Sequence, residues 1–335
     1  MSNLITPDYE TLLFTPAFKV GGTKSCRLAS AKLLKLFATN AQNISNDDRG
    51  LFVPRPGFKF AQDDLEGAEA VVVALCVREG RFRDLVRLKI KPHNFVCIKL
   101  FPTEFHEYIS QSDIDSLTPK SLKAHPKYKE IVKRCKLLKM QYDIAKRTVH
   151  GGNYGMSWKT LQATVLKESG GTIILTAAES KRLLGVYFEL FPEIKLYQTE
   201  ADSKAKEFEP IYDMFGADVR LIQRYTAELG RTAASLPPQR TVGLITIIGA
   251  SRLQRYIEDN NRRWNVLNIV HDSILGESPI DEAVELADKM AECMTFELTS
   301  PIDGWKFSIG VEKSIGMNWG KYDETDNPEG LQVIE

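Results

Sequence analysis

Lys59-Phe60-Ala61-Gln62-Asp63-Asp64-Leu65-Glu66-Gly67-Ala68-Glu69 decides the fold. Its first half is a short strand-like run ending at adjacent carboxylates, and it gives way to Ala70-Val71-Val72-Val73-Ala74-Leu75, an apolar stretch that predicts a buried helix. More than two hundred residues later, Ile269-Val270-His271-Asp272-Ser273-Ile274-Leu275 sets two apolar runs around three polar residues, the pattern of a tight β-hairpin. Asp64 and Asp272 are therefore both expected where a strand ends and exposes a carboxylate. Between them, Lys146-Arg147-Thr148-Val149-His150-Gly151-Gly152-Asn153-Tyr154-Gly155 places Lys146, His150 and Tyr154 at intervals of four. On a helix, that cation and those two rings share one face.

The wider chain bounds the reading. With 335 residues, 43% of them hydrophobic and 26% charged, it has the composition of one large or two modest globular domains. No stretch approaches the roughly 20 apolar residues of a membrane helix. Met1-Ser2-Asn3-Leu4-Ile5-Thr6-Pro7 lacks a basic segment followed by an apolar core, so no secretory signal is expected. Cys26, Cys76, Cys97, Cys135 and Cys293 have no CxxC spacing, which predicts free thiols rather than a zinc site or disulfide framework.

Charge balances at 44 basic and 44 acidic residues, so distribution matters more than the sum. The segment Lys120 to Arg147 is strongly basic, opposed only by Glu130 and Asp143. A solvated helix face is the ordinary reading of such a run. Because this run leads into the Lys146 helix, a functional reading is favoured. Glu277 to Glu297 is acidic and predicts an amphipathic helix with Val284, Ala287, Met290, Ala291 and Met294 on a core. Leu161 to Lys167 and Ala177 to Leu190 show helical spacing, the latter stopped by Pro192. The residues after Tyr322, rich in Asp, Glu, Asn, Pro and Gly, are expected to form a disordered tail.

Taken in order, the three opening segments resemble motifs A, B and C of family A DNA polymerases, the bacterial polymerase I group. The resemblance covers nearly the whole chain. Arg27-Leu28-Ala29-Ser30 and Asn40-Ala41-Gln42-Asn43-Ile44 are similar to the family's GRLS and NLQNI elements, and Arg49-Gly50-Leu51-Phe52-Val53-Pro54 to its RxxFVP. Tyr187-Phe188-Glu189-Leu190-Phe191-Pro192 matches YFERYP, Pro237-Pro238-Gln239 the PxQ of the NxPxQGT helix, and Asn318-Trp319 the closing NW. The fold so implied is α/β (α+β), a right-hand polymerase palm with an antiparallel sheet and a helical fingers insertion. Residues 1–78 and 231–335 would form the palm and residues 79–230 the fingers, with no thumb.

The resemblance also implies a chemistry, template-directed addition of dNTPs to a primer 3′ end. Two Mg²⁺ ions about 3.5 to 4 Å apart serve such a transfer, with Mn²⁺ able to substitute, and hard cations of this kind take oxygen ligands. Asp64 and Asp272 would hold them. Asp63 is the rival, but the family's glutamate falls five residues after the ligand, and Glu69 meets that spacing only for Asp64. Glu69 would fill the space below the sugar C2′. Lys146 would contact the triphosphate, His150 and Tyr154 would face the nucleotide and template base, and His93 fits a fingers histidine near the phosphates. Arg27 and Gln239 would touch the minor-groove side of the primer-template, Asn40 and Asn43 the template strand, and His271 the primer terminus.

Departures from the family pattern keep alternatives open. Ser273 stands at a usual glutamate, His150 at a usual Phe or Tyr, and Tyr142 at a second phosphate-binding arginine for which Lys139 or Arg147 could compensate. Ser273 and the wording of motif B raise a ribonucleotide-accepting polymerase or primase. Tyr142 and the missing thumb raise a catalytically silent DNA-binding replisome subunit. Expected partners are primer-template DNA, dNTPs and a second protein chain supplying a thumb and an exonuclease, docking near the segment before Arg27. No membrane partner is expected. The methionine start is read as one gene of a split viral polymerase, located in the cytoplasm of a bacterial or phage-infected cell.

Overall fold

The computed structural model describes residues 41–335 together with Phe18, Lys19, Thr23, Ala29 and Ser30. Arg27 and Asn40 lie outside the described residues. The chain divides into two compact units, one of residues 1–68, 239–298 and 307–335, the other of residues 69–238 and 299–306.

The first unit is built on a five-stranded sheet. Its strands are β1 (Phe58–Leu65), β2 (Asn265–Val270), β3 (Ser273–Pro279), β4 (Val311–Gly316) and β5 (Gln332–Ile334). They run in the order β5-β4-β1-β3-β2, every neighbouring pair antiparallel. Side chains alternate across such a sheet, so the acidic end of β1 sends Asp63 and Asp64 to opposite faces. One face packs on the helix Ala283–Met294. On the other, Ile44, Phe60, Val270, Leu275 and Trp319 form an apolar cluster.

Two expectations about this unit are corrected. The acidic segment is not helical from Glu277, because β3 continues through Glu277 and Ser278 to Pro279, and the helix buries Ala283, Leu286, Ala287, Met290, Cys293 and Met294 while Val284 is exposed. The helical phase starts six residues later than the charge pattern suggested. The polar C-terminus is not a disordered tail: Gln332–Ile334 adds to β4, and Asn318 and Asn327 exchange side-chain hydrogen bonds of 2.8 and 3.0 Å. Backbone pairing at a sheet edge needs no apolar pattern in the strand that supplies it.

The second unit is mainly helical. Its longer helices are α1 (Ala68–Cys76), α2 (Pro92–Leu100), α3 (Tyr128–Leu137), α4 (Lys139–Asn153), α5 (Trp158–Glu168), α6 (Ala177–Leu190) and α7 (Pro192–Lys206). Helix α8 (Ala227–Asp259) begins in this unit and continues into the first past Pro237 and Pro238. Capping is local and legible: Ser157 starts α5, and Thr176 with Glu179 forms a capping box for α6. The core gathers Phe82, Phe95, Tyr187 and Phe191, with the Phe82 and Phe191 rings edge-on at 5.3 Å. The four described cysteines, Cys76, Cys97, Cys135 and Cys293, are buried free thiols. No described helix is long and apolar enough to cross a membrane.

Candidate active site

Within the sheet unit, Asp64 and Asp272 meet at neighbouring strand ends. Asp64 pairs in register with Ser273, and the Leu65 amide donates to the Asp272 carbonyl at 3.1 Å. The turn that carries Asp272 is tight because His271 takes a left-handed backbone, φ 56°. A short chain of side chains braces Asp64. Trp319 Nε1 donates to Gln62 Oε1 at 2.7 Å, and Gln62 Nε2 donates to Asp64 Oδ2 at 2.7 Å. Gln62 and Trp319 are both buried, so the bond between them is shielded from water, while the bond to Asp64 lies at the edge of the site. The Arg49 guanidinium lies over the Trp319 ring at 4.7 Å; burial lowers its pKa and the nearby Asp64 raises it.

Asp63 occupies the opposite environment. It is fully buried, neither of its oxygens has a hydrogen-bond partner, and burial pushes its pKa up to about 8. Lys313, ion-paired with Asp288 at 2.8 Å, offsets part of that rise, while Asp64 and Asp288 add to it. A carboxyl held neutral in an apolar site is a poor cation ligand. Asp64 and Asp272 are both partly exposed and offer oxygen donors suited to a hard divalent ion. Among the described residues no group of three or more His, Cys, Asp or Glu side chains gathers into a closed metal cage. Ser273 is buried, and its hydroxyl donates to the Val270 carbonyl at 2.9 Å. Its side chain is thus engaged with its own turn.

In the helical unit the motif around α4 forms a second cluster. Tyr154 Oη donates to Glu69 Oε2 at 2.7 Å, and His150 Nδ1 lies 3.6 Å from the same oxygen. The two rings are edge-on with centroids 5.6 Å apart. Tyr154 is not on the helix, as equal spacing implied, but is its C-cap, followed by Gly155 at φ 69°. Gly152 is required by close approach, since a Cβ there would lie 2.5 Å from the Tyr187 ring. Gln198 Nε2 donates to the carbonyls of Gly152 and Asn153 at 2.6 and 3.0 Å, fixing the end of α4.

Lys146 is exposed on α4, whereas Arg147 is committed to Glu168 at 3.0 Å. His93, on α2, faces Tyr142: Nε2 lies 2.7 Å from the phenol oxygen and the rings are edge-on at 4.9 Å. Burial, with Lys91 and Lys146 nearby, lowers the His93 pKa to about 4, so the imidazole is neutral at ordinary pH. His93 and Tyr142, the second standing where an arginine is expected, are therefore partners of one another.

Comparison with known proteins decides the family. The sequence profile described as DNA polymerase family A matches residues 15–321. The chain belongs to DNA polymerase family A. A DNA polymerase of Bacillus phage SP01 is 26% identical over 158 residues, 44% of this family A chain and 17% of that protein. Among solved structures, the POL domain of Pol1 from M. smegmatis, in complex with DNA primer-template and dNTP, superposes with a TM-score of 0.66 at 19% identity. That match covers 91% of this chain and 47% of the other. This family A chain thus spans less than half the length of either relative. The fold expectation, α/β with an antiparallel sheet and a helical insertion, is borne out.

The remaining predicted residues of the family A pattern lie on separate elements. Asn43 is exposed at the end of the 3₁₀ turn Ala41–Asn43, which is tied to β2 by Gln42 Nε2 donating to the Ile269 carbonyl at 3.1 Å. Gln239 is half-buried in α8, immediately after Pro238. His271 is exposed in the β2–β3 turn. Sequence reasoning missed Gln62 as the brace for Asp64, although period-two alternation places it on the same face of β1.

Proposed function

We propose that this family A chain carries the nucleotidyl-transfer core of a DNA-directed DNA polymerase, adding dNTPs to a primer 3′ end opposite a template. The observation that carries the reading is the pair of partly exposed carboxylates, Asp64 and Asp272, on adjoining strand ends of one antiparallel sheet. In this reading the sheet unit serves as the palm and the helical unit as the fingers.

Asp64 and Asp272 would hold the divalent ions, Mg²⁺ by preference. Such ions, when bound, acidify the attacking hydroxyl and neutralise charge on the leaving pyrophosphate. The chain's own residues do the rest. The Trp319–Gln62 relay keeps Asp64 Oδ2 in one orientation, so little reorganisation is needed as charge develops. Lys146 presents a compact cation to the triphosphate. Glu69, fixed by Tyr154, places bulk against the sugar and favours a deoxyribose, with His150 lining the same region. Gln239, Arg27, Asn40, Asn43 and His271 would contact the primer-template. The similar M. smegmatis domain is held in complex with DNA primer-template and dNTP, which supports those ligands for this chain.

Primer extension on a defined template with Mg²⁺, offering deoxy- or ribonucleotides separately, tests this reading. Templated extension with dNTPs is expected. Equal extension with ribonucleotides would contradict the sugar assignment, and absence of product with either would contradict the activity.

A further inference from the structure

Helix α3 carries charge that the proposed active site does not use. Although the whole chain is neutral, residues 120–139 hold eight basic side chains against one acidic, Glu130. Lys129, Lys133 and Lys136 recur at steps of four and three on α3, which aligns them along one exposed face. Ile131 and Cys135 form the buried stripe on the other side. Lys123 and Lys127 precede the helix and Lys139 follows it, all exposed.

Packing does not explain this arrangement. Arg134, which reaches Glu104 at 3.1 Å, ties α3 to the fold, whereas Lys129, Lys133 and Lys136 do not; before the helix, Lys127 Nζ donates to the Glu107 carbonyl at 3.4 Å. Among the described residues none of these six lysines forms an ion pair. Lys123 instead lies over the Tyr128 ring at 4.8 Å and Lys127 over the Tyr108 ring at 5.9 Å. Like charges on adjacent turns repel and weaken the helix, an effect that a polyanion lying along the face would reverse.

From Lys129 to Lys136 the helix rises about 10 Å, at 1.5 Å per residue. That length matches about three phosphates along one strand of DNA at 3.4 Å each. Exposed apolar side chains at this end are few, Leu137 and Met140. Charge therefore outweighs apolar area, which favours a nucleic-acid backbone over a protein partner.

We propose that the Lys129–Lys133–Lys136 face of α3 binds the DNA phosphate backbone, as a site separate from the residues assigned to nucleotide transfer. This rests on DNA being the ligand of the chain, but not on the chain's catalytic activity. The probe is a labelled primer-template with a long single-stranded 5′ extension, compared with a blunt duplex, in anisotropy titrations of the full chain. The variant is Lys129→Ala/Lys133→Ala/Lys136→Ala.

Three lost contacts should reduce the slope of log affinity against log salt by about 2 to 3. Between about 50 and 200 mM salt the unmodified chain should then lose about 15- to 65-fold more affinity than the variant. A change confined to the extended template would assign the face to single-stranded DNA; a change on both would assign it to duplex. Single-nucleotide incorporation at saturating template should stay the same. Equal slopes and affinities on both DNAs would overturn the proposal, as would failure of the unmodified chain to bind either DNA. If that chain binds DNA but makes no product, the proposed function fails while this site is still judged by the slopes.

Discussion

Replacing Gln62 with Met keeps a side chain of similar size while deleting both bonds of the relay that braces Asp64. The bond lost to Asp64 is one to a charged acceptor, typically about 1.5 to 3 kcal/mol. If it holds the carboxylate in its reacting orientation, that loss corresponds to about a 10- to 150-fold slower transfer step. A second cost falls on stability. The Trp319 indole N–H would remain buried without an acceptor, at about 1 to 3 kcal/mol. Single-turnover incorporation and urea unfolding separate the two effects. Trp319→Phe removes the orphaned donor, so the Gln62→Met/Trp319→Phe pair should destabilise less than the sum of the single changes. A Gln62→Met rate within about twofold of the unmodified chain, below the smallest loss expected, together with strictly additive stabilities, would refute the relay.

Tyr154→Phe removes the hydroxyl that donates to Glu69 at 2.7 Å. It should narrow the preference for dNTPs over ribonucleotides by about tenfold, the low end for a charge-assisted bond, and Glu69→Ala should narrow it further. The ratio of kcat/KM values for the two sugars checks this, and an unchanged ratio in both variants would place sugar selection elsewhere. Lys146→Ala should depress incorporation of every nucleotide without changing that ratio, as single-nucleotide kinetics would show. His93 gives a pH dependence. Its folded pKa, about 4, lies below the ordinary imidazole value. The unfolded chain therefore binds the extra proton between about pH 6.5 and 4, and stability falls as pH drops through that window, by up to about 3 kcal/mol. Urea unfolding of the unmodified chain and His93→Gln across that range should show the difference between them shrinking towards acid pH; a constant difference would contradict the half-buried neutral imidazole.

The strand-end placement of Asp64 and the turn placement of Asp272 were legible because both depend on local alternation and turn chemistry. The helices Ala177–Leu190 and Lys139–Asn153 are legible for the same reason, through the spacing of their residues. Equal spacing puts Tyr154 on the helix, but Gly155, a common helix-ending residue, makes it the C-cap instead. The Trp319–Gln62 bond joins residues 257 apart in sequence, and the His93–Tyr142 pair residues 49 apart. No periodicity carries such information; only sheet register and helix packing bring these groups together. Val284 was assigned to the core because an apolar residue within an acidic run fits two helical phases, and the contact with β1 selects the one that exposes it. The strand at Gln332–Ile334 escaped notice because its partner, β4, supplies the order that its own composition does not.

If Asp64 and Asp272 together hold the ions that drive nucleotide transfer, neither carboxylate can be dispensed with. The most direct measurement is single-turnover incorporation of one dNTP with Mg²⁺, for the unmodified chain, Asp64→Ala and Asp272→Ala, alongside primer-template affinity. Each substitution should slow the step by about three orders of magnitude or more while leaving DNA affinity largely intact. A near-normal rate in either variant would contradict the account.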